Sequence, residues 1–191
     1  MKVISYMVPL LILLFSFFYN NNPFVVKEEA RQAYELLNTI RSHPDKYYST
    51  LHLNGRLAIT KTALHWNDTL AKVAEAKALD MAKRNYFDHL TPEGYGINYL
   101  MQQGGYKLNP DWIKDKKSNN FESISVGALN GKEAIENLIL DEDNPSFAHR
   151  DHLLGIGSWN ASLVDIGIGF VKCDDGKYQS YTCIIIAKHN W

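Results

Sequence analysis

Excess charge is the first thing this chain lacks. Its 20 lysines and arginines nearly balance 21 aspartates and glutamates, for a formal net charge of -1. A near-neutral chain gives no electrostatic reason to expect nucleic acid or an anionic membrane surface as a partner. Lys114, Lys116 and Lys117 form a local basic group, but acidic residues lie close by, and a solvated loop accounts for them.

Cysteine is scarce as well. Cys173 and Cys183 allow at most one disulfide. Two cysteines in an exported chain most simply pair, and these two flank Asp174-Asp175-Gly176-Lys177, a turn signal between strand-like runs. A hairpin staple is therefore expected. A tight turn at Asp175-Gly176 would set Cys173 opposite Tyr178, so the bridge requires a wider loop or a bulge. The alternative is a pair of buried free thiols. With no further Cys or His close in sequence, metal binding by this pair is not expected.

Several catalytic signatures are missing. There is no HExxH helix, no nucleophile elbow and no convincing catalytic cysteine. Internal repeats and low-complexity tracts are absent too. What is present is 46% hydrophobic and 21% charged, a globular composition with length enough for one domain and a real core.

The N-terminus carries the one long apolar run. Lys2 precedes uncharged residues Val3 to Phe18, and Asn20-Asn21-Asn22-Pro23 ends the run abruptly. A membrane span needs about 20 apolar residues, whereas a signal-peptide core is shorter. Phe17, Phe18 and Tyr19 stand where a small-x-small cleavage site belongs. Residues 1–23 are therefore expected to be a signal peptide or a retained N-terminal anchor, and residues 24–191 an extracytoplasmic domain. Contact with membrane is expected only through the N-terminal segment, if it is uncleaved.

Helical spacing runs through Ala30, Ala33, Tyr34, Leu37 and Ile40, predicting a helix over Lys27 to Arg41 that Pro44 closes. Asn67 or Asp68 is the predicted N-cap of an alanine-rich helix over Leu70 to Lys83. A short helix over Ile97 to Gln103 should stop at Gly104-Gly105. Lys107 to Asn120 reads as a polar surface loop. Phe121 to Val126 reads as extended, Lys132 to Leu140 as helical, and Ser146 to Leu154 as a short helix capped by Ser146. Strands are expected at Val164 to Lys172 and Tyr178 to Lys188. Helices first and the clearest strands last predict an α+β domain with helices on an antiparallel sheet. Gly167 and Gly169 share one strand face, which lets a helix or ligand approach closely, while Ile166, Ile168 and Phe170 share the other.

Four segments carry more than fold. In order they are Phe87-Asp88-His89, Phe121-Glu122-Ser123-Ile124, His149-Arg150-x-x-Leu153-Leu154 and Ile166-Gly167-Ile168-Gly169. Together, over roughly residues 27 to 190, this set resembles the CAP superfamily of cysteine-rich secretory proteins, venom allergens and pathogenesis-related proteins. The resemblance implies a three-layer α–β–α sandwich with a mainly antiparallel central sheet. It also implies a central cleft holding two imidazoles. His89 matches the first, in the family's F-x-H-x-x-P-x-G segment, and His149 the second, in G-H-R-x-N-[IL]-L. Here Ala148 replaces the glycine and His152 the asparagine. Glu122 matches the glutamate of G-E-N-[IL], with Phe121 for the glycine and Ser123 for the asparagine. A second acid belongs near the end of the preceding helix, where Asp141, Glu142 and Asp143 compete and spacing favours Asp141 or Glu142.

Each candidate also has a plainer reading. His89 at a helix-to-loop junction can cap the helix, Glu122 can face solvent on an edge strand, and His152 can join the site or pack against Asp151. Two neutral imidazoles with one or two carboxylates make a reasonable open site for zinc or another divalent cation. The expected function is binding of a metal ion or small polar ligand in the cleft formed by His89, Glu122, His149 and Asp141 or Glu142, without catalysis. The alternatives are a hydrolase using His89 or His149 with Glu122 as acid and base, and a surface module for lipid or glycan. The partner, whether small ligand, lipid, glycan or protein, is left open. Ser123, Ser125 and Ser146 are the hydroxyls available as nucleophiles.

Overall fold

The computed structural model describes residues 22–189, apart from Arg56, Asp143 and Asp175. The expected export segment lies almost entirely outside the described residues, as does Asp143. Among the described residues no helix is long and apolar enough to cross a membrane.

A sheet of five strands forms the middle layer. β1 (Phe24–Val25), β4 (Asp165–Lys172), β5 (Ser180–Ala187) and β3 (Glu122–Val126) lie side by side in that order, each antiparallel to its neighbour. The two-residue β2 (His65–Trp66) adds parallel to the start of β4. β4 and β5 are buried almost throughout, as strands covered on both faces must be.

The two faces take different helices because their side chains differ in size. Gly167 and Gly169 face α2 (Asp68–Arg84), and a Cβ at Gly167 would sit 2.1 Å from the Ala71 nitrogen. The glycines and the alanines of α2 let the two backbones close on each other. On the opposite face Ile166, Ile168 and Phe170 of β4, with Ile184 and Ile186 of β5, form the bulky half of the core. There α1 (Lys27–Ser42), α4 (Gly131–Leu140) and α5 (Ala148–Leu154) make the second helical layer. The fold is thus α+β, with helices on both faces of a mainly antiparallel sheet.

Local rules set most boundaries. Asn67 caps α2, its side-chain oxygen accepting from the N–H groups of Thr69 and Leu70. Asn130 caps α4 through the Glu133 N–H. α3 (Ile97–Gln103) ends at Gly104. The Lys107 to Asn120 loop contains a 3-10 turn at Pro110–Ile113, and its Trp112 packs edge-on against Phe121 and Trp159. A short helix that no sequence pattern signals, α6 (Gly157–Ala161), follows α5.

Two expectations fail. The cysteines are not bridged. The register sets Cys183 opposite Gly169, while the Cys173 N–H bonds to the Gln179 carbonyl. Four residues of strand separate Gly169 from Cys173, about 13 Å, whereas a disulfide needs Cα atoms within about 7 Å. Ser146 does not cap α5 either. Its hydroxyl donates to Asn144 instead, Phe147 occupies the N-cap position, and a carboxylate from another helix end does the capping.

Candidate functional site

The loop after α2 brings in the first imidazole. α2 stops at Arg84 with Asn85 as its left-handed C-cap, so His89 lies beyond the helix end and does not cap it. The buried ammonium of Lys77 fixes this loop, donating to the carbonyls of Asp88 and His89 at 2.8 and 3.3 Å and to Tyr86 Oη at 3.2 Å. Lys77 is only 1% exposed. Desolvation pulls its pKa down, opposed chiefly by the Glu122 charge, and the two carbonyls supply the partners that a buried cation needs.

The ring of His89 is held separately. Its Nδ1 lies 2.7 Å from Oε2 of Glu122, whose side chain is fully buried. Glu122 opens β3 on the side of the sheet that α2 covers, and its second oxygen accepts from the Cys183 thiol at 3.4 Å. Burial first, and then the adjacent Glu122 charge, push the Cys183 thiol well above its ordinary range. The protonated thiol is a weak donor here and not a nucleophile.

The second imidazole comes from α5 through a reciprocal capping arrangement. Asp141 ends α4 in the left-handed conformation, φ 50°. A carboxylate at a helix C-terminus opposes the helix dipole, but this one turns toward the N-terminus of α5. Its Oδ2 accepts from the N–H groups of His149 and Arg150 at 3.0 and 3.4 Å, and its Oδ1 lies 2.7 Å from His149 Nδ1. Arg150 returns the contact, donating from Nε and Nη2 to the carbonyls of Ile139 and Leu140 at 2.6 and 2.7 Å. Each helix end is capped by the other.

Both imidazoles therefore share one arrangement. A carboxylate only accepts, so each ring carries its proton on Nδ1 and, when neutral, leaves a lone pair on Nε2. His89, Glu122, Ser123, His149 and His152 line one open cleft of about 470 Å³ at the free edge of the sheet. His89 and Glu122 come from one side of β3, and Ser123, His149 and His152 from the other. Trp159 and Asn160 close the far end. Glu142 is exposed and lines an adjoining groove with Asp141 and His149. Of the two competing acids among the described residues, Asp141 is the one bonded to His149.

His152 sits in the cleft wall, buried. Its Nδ1 lies 2.8 Å from Ser123 Oγ and its Nε2 3.4 Å from the Ile186 carbonyl. Burial lowers its pKa to about 4, so it is a neutral ring bonded on both nitrogens. Ser123 is engaged by it, Ser146 is exposed and bonded to Asn144, and Ser125 lines the adjoining groove. Lys77 is the residue that pattern reading missed, although a signal existed: it is a lysine within the apolar stripe of Leu70, Ala74, Ala78 and Met81.

Comparison with known proteins agrees with this fold. The profile of the CAP group, the cysteine-rich secretory protein family, matches residues 34–185, well over half of the chain. The chain belongs to that family. A solved extracellular protein containing an SCP domain, from Bacillus anthracis strain Ames, superposes with a TM-score of 0.52 at 23% identity. That match covers 85% of this chain and 41% of the other, so the chain spans less than half the length of that protein. An outer surface protein of Borrelia burgdorferi superposes with a TM-score of 0.53 at 18% identity, covering 88% of this chain and 98% of that one. Comparison with curated proteins gives no match. These likenesses establish the CAP fold and leave the chemistry to the residues in the cleft.

Proposed function

We propose that this CAP domain is an exported, non-catalytic binding module whose cleft takes a divalent cation or a small polar ligand between two imidazoles. The observation that carries this reading is the matched pair of Nδ1–carboxylate contacts, His89 with Glu122 and His149 with Asp141, each 2.7 Å, around one cleft. Carboxylate-anchored imidazoles with a free Nε2 are the usual form of a histidine metal ligand. Among the described residues no three His, Cys, Asp or Glu side chains converge as a metal cluster. His89 and His149 are the two protein nitrogens we assign to an open site, and the set does not fit a closed structural one. Zinc bound there would supply a Lewis-acidic centre with positions open to a polar ligand. The residues of this chain hold the rings, orient them and keep Glu122 and Asp141 from water. Export is supported by the apolar N-terminal run and by the extracellular and outer-surface descriptions of the two neighbours.

Zinc titration tests the reading. Zinc added to the purified protein should raise its melting temperature at neutral pH, because only the folded chain brings the two rings together. The rise should fade in acid, where protons compete for the nitrogen lone pairs. His89→Ala with His149→Ala should abolish it. An unchanged response in that double variant would move the metal elsewhere and remove this reading.

A second reading, binding of a lipid chain, is favoured by a different feature. A larger, mainly apolar cavity of about 540 Å³ lies between α2 and the 91–104 segment, with Val73, Ala76 and Leu100 in its wall, and holds neither imidazole. A fluorescent fatty acid should be displaced by palmitate there and excluded by Ala76→Trp. Binding unaltered by Ala76→Trp would remove that reading.

A further inference from the structure

The free edge of β3 is the feature that the cleft chemistry leaves unused. β3 is the last strand of the sheet and, among the described residues, pairs only with β5. Ile186 N–H donates to the Phe121 carbonyl and Gly127 N–H to the Ser180 carbonyl, both at 3.0 Å. In an antiparallel ladder the backbone groups of alternate residues point to the partner strand. Phe121, Ser123, Ser125 and Gly127 therefore face β5, and the N–H and C=O groups of Glu122, Ile124 and Val126 point outward. Among the described residues no loop, turn or cap hydrogen bond reaches those outward groups.

This edge is recessed. Glu122, Ser123, Ile124 and Ser125 are at most 9% exposed, and two adjoining hollows run along the edge. The imidazole cleft covers Glu122 and Ser123. An adjoining groove of about 420 Å³ covers Ile124, Ser125 and Val126, and His149 lies in the wall of both. One rim carries Phe87, which is 41% exposed, and His89; the other carries Asp141, Glu142 and Asn144. Buried backbone donors and acceptors are almost always paired, and an open strand edge is a template for another strand.

We infer that an extended peptide adds to β3 as an extra strand, lying along this groove and bonding to Glu122, Ile124 and Val126. The inference rests on the reading of the cleft as a binding site and names the class of ligand. A single extended chain fits where a second folded domain does not, since walls rise on both sides of the edge. The outward groups span about 14 Å, which sets the length of the paired segment at about five residues. Charge selects the side chains. Glu142 is the exposed carboxylate of the groove, whereas those of Glu122 and Asp141 are buried against the two imidazoles, so a lysine or arginine near Glu142 is favoured. Backbone pairing supplies affinity and alternate side chains supply selectivity, as in other cases of strand addition.

The test uses capped synthetic octapeptides, random except for one fixed lysine, against the purified protein. Selected peptides should bind with Kd of about 100 μM or tighter and should slow exchange of the Glu122, Ile124 and Val126 amides. N-methylation of the peptide should weaken binding about tenfold at every second residue and little at the residues between. Glu142→Lys should reverse the preference for a basic side chain, and Val126→Pro, which removes one outward N–H, should weaken binding while sparing the β5 ladder. Equal sensitivity to N-methylation at all positions, protection of other amides, or binding only as a dimer through β3 would overturn the inference. The zinc response of the same preparation separates the two failures. Zinc stabilisation without peptide binding removes this inference alone, and loss of both removes the cleft reading with it.

Discussion

Ser123 Oγ lies 2.8 Å from Nδ1 of His152, and these are two of the positions at which the chain departs from the CAP pattern. Asparagine is expected at both. The two departures touch across the interface of β3 with α5. The Ile186 carbonyl accepts from the far side of the ring at 3.4 Å, which sets the proton on Nε2 and leaves Nδ1 to accept from the serine hydroxyl.

That neutral, buried ring makes stability depend on pH. Its folded pKa, about 4, lies below the ordinary 6.5, so the unfolded chain binds more protons between those values. The sign follows: stability contributed by neutral His152 is complete above about pH 6.5 and is lost as pH falls toward 4. The loss amounts to about 3 kcal/mol in full. Urea melts from pH 7 to 4 should show a shallower decline for His152→Asn than for the parent. Parallel declines would place the acid sensitivity elsewhere.

Glu122→Gln separates a binding cleft from an enzyme. The amide oxygen still accepts from His89, but the charge that anchors the ring is gone. The binding reading predicts a melting temperature within a few degrees of the parent and zinc affinity lower by about 10-fold to 100-fold. It also predicts a blank in peptide, ester and glycan hydrolysis screens of the parent. Turnover by the parent that scales with protein and falls ~10²–10⁴-fold in Glu122→Gln would establish a general base instead.

Lys77 is a positioning residue for His89. Lys77→Met keeps the stem within α2 but leaves the Asp88 and His89 carbonyls without their donor, a cost of about 1–3 kcal/mol. Zinc affinity should fall more than Tm alone explains, and the His89 ring resonances should broaden while those of His149 stay sharp. Lys77→Arg should recover part of both. A Tm loss with zinc affinity intact would reduce Lys77 to a core residue.

Asp141 joins cap and ring in one side chain. Asp141→Ala should destabilise the protein by about 1–2 kcal/mol, lowering Tm by about 2–8 °C, and release the His149 ring. Asp141→Asn should recover the cap to the His149 N–H without restoring the charge against Nδ1. Thermal melts with proton spectra of the His149 Nδ1–H check both. An Asp141→Ala variant that melts with the parent would show that Arg150 alone holds the α4–α5 corner.

What the sequence determined is what short-range physics decides. Helical spacing and end signals located α1, α2, α3 and α4 to within a residue or two, because groups such as Asn67 and Gly104 act on their own backbone neighbours. The Gly167 and Gly169 face was legible because a strand has period two, and the outcome was a helix, α2, at van der Waals distance. The four family segments identified the fold. What lay beyond reach was every relation between segments distant in the chain. Spacing left Asp141 and Glu142 both standing, and only the turn of Asp141 into the left-handed conformation aimed its carboxylate at α5 while Glu142 went to solvent. The cysteine pair failed for the same reason: a turn signal gives no register, and the register fixed Cys183 opposite Gly169. Lys77 reads as an anomaly in a stripe until the chain returns Asp88 and His89 over it. The recessed edge of β3 exists only once the sheet order is set. Sequence fixes which groups can bond locally, and the tertiary fold decides which are left facing an open groove.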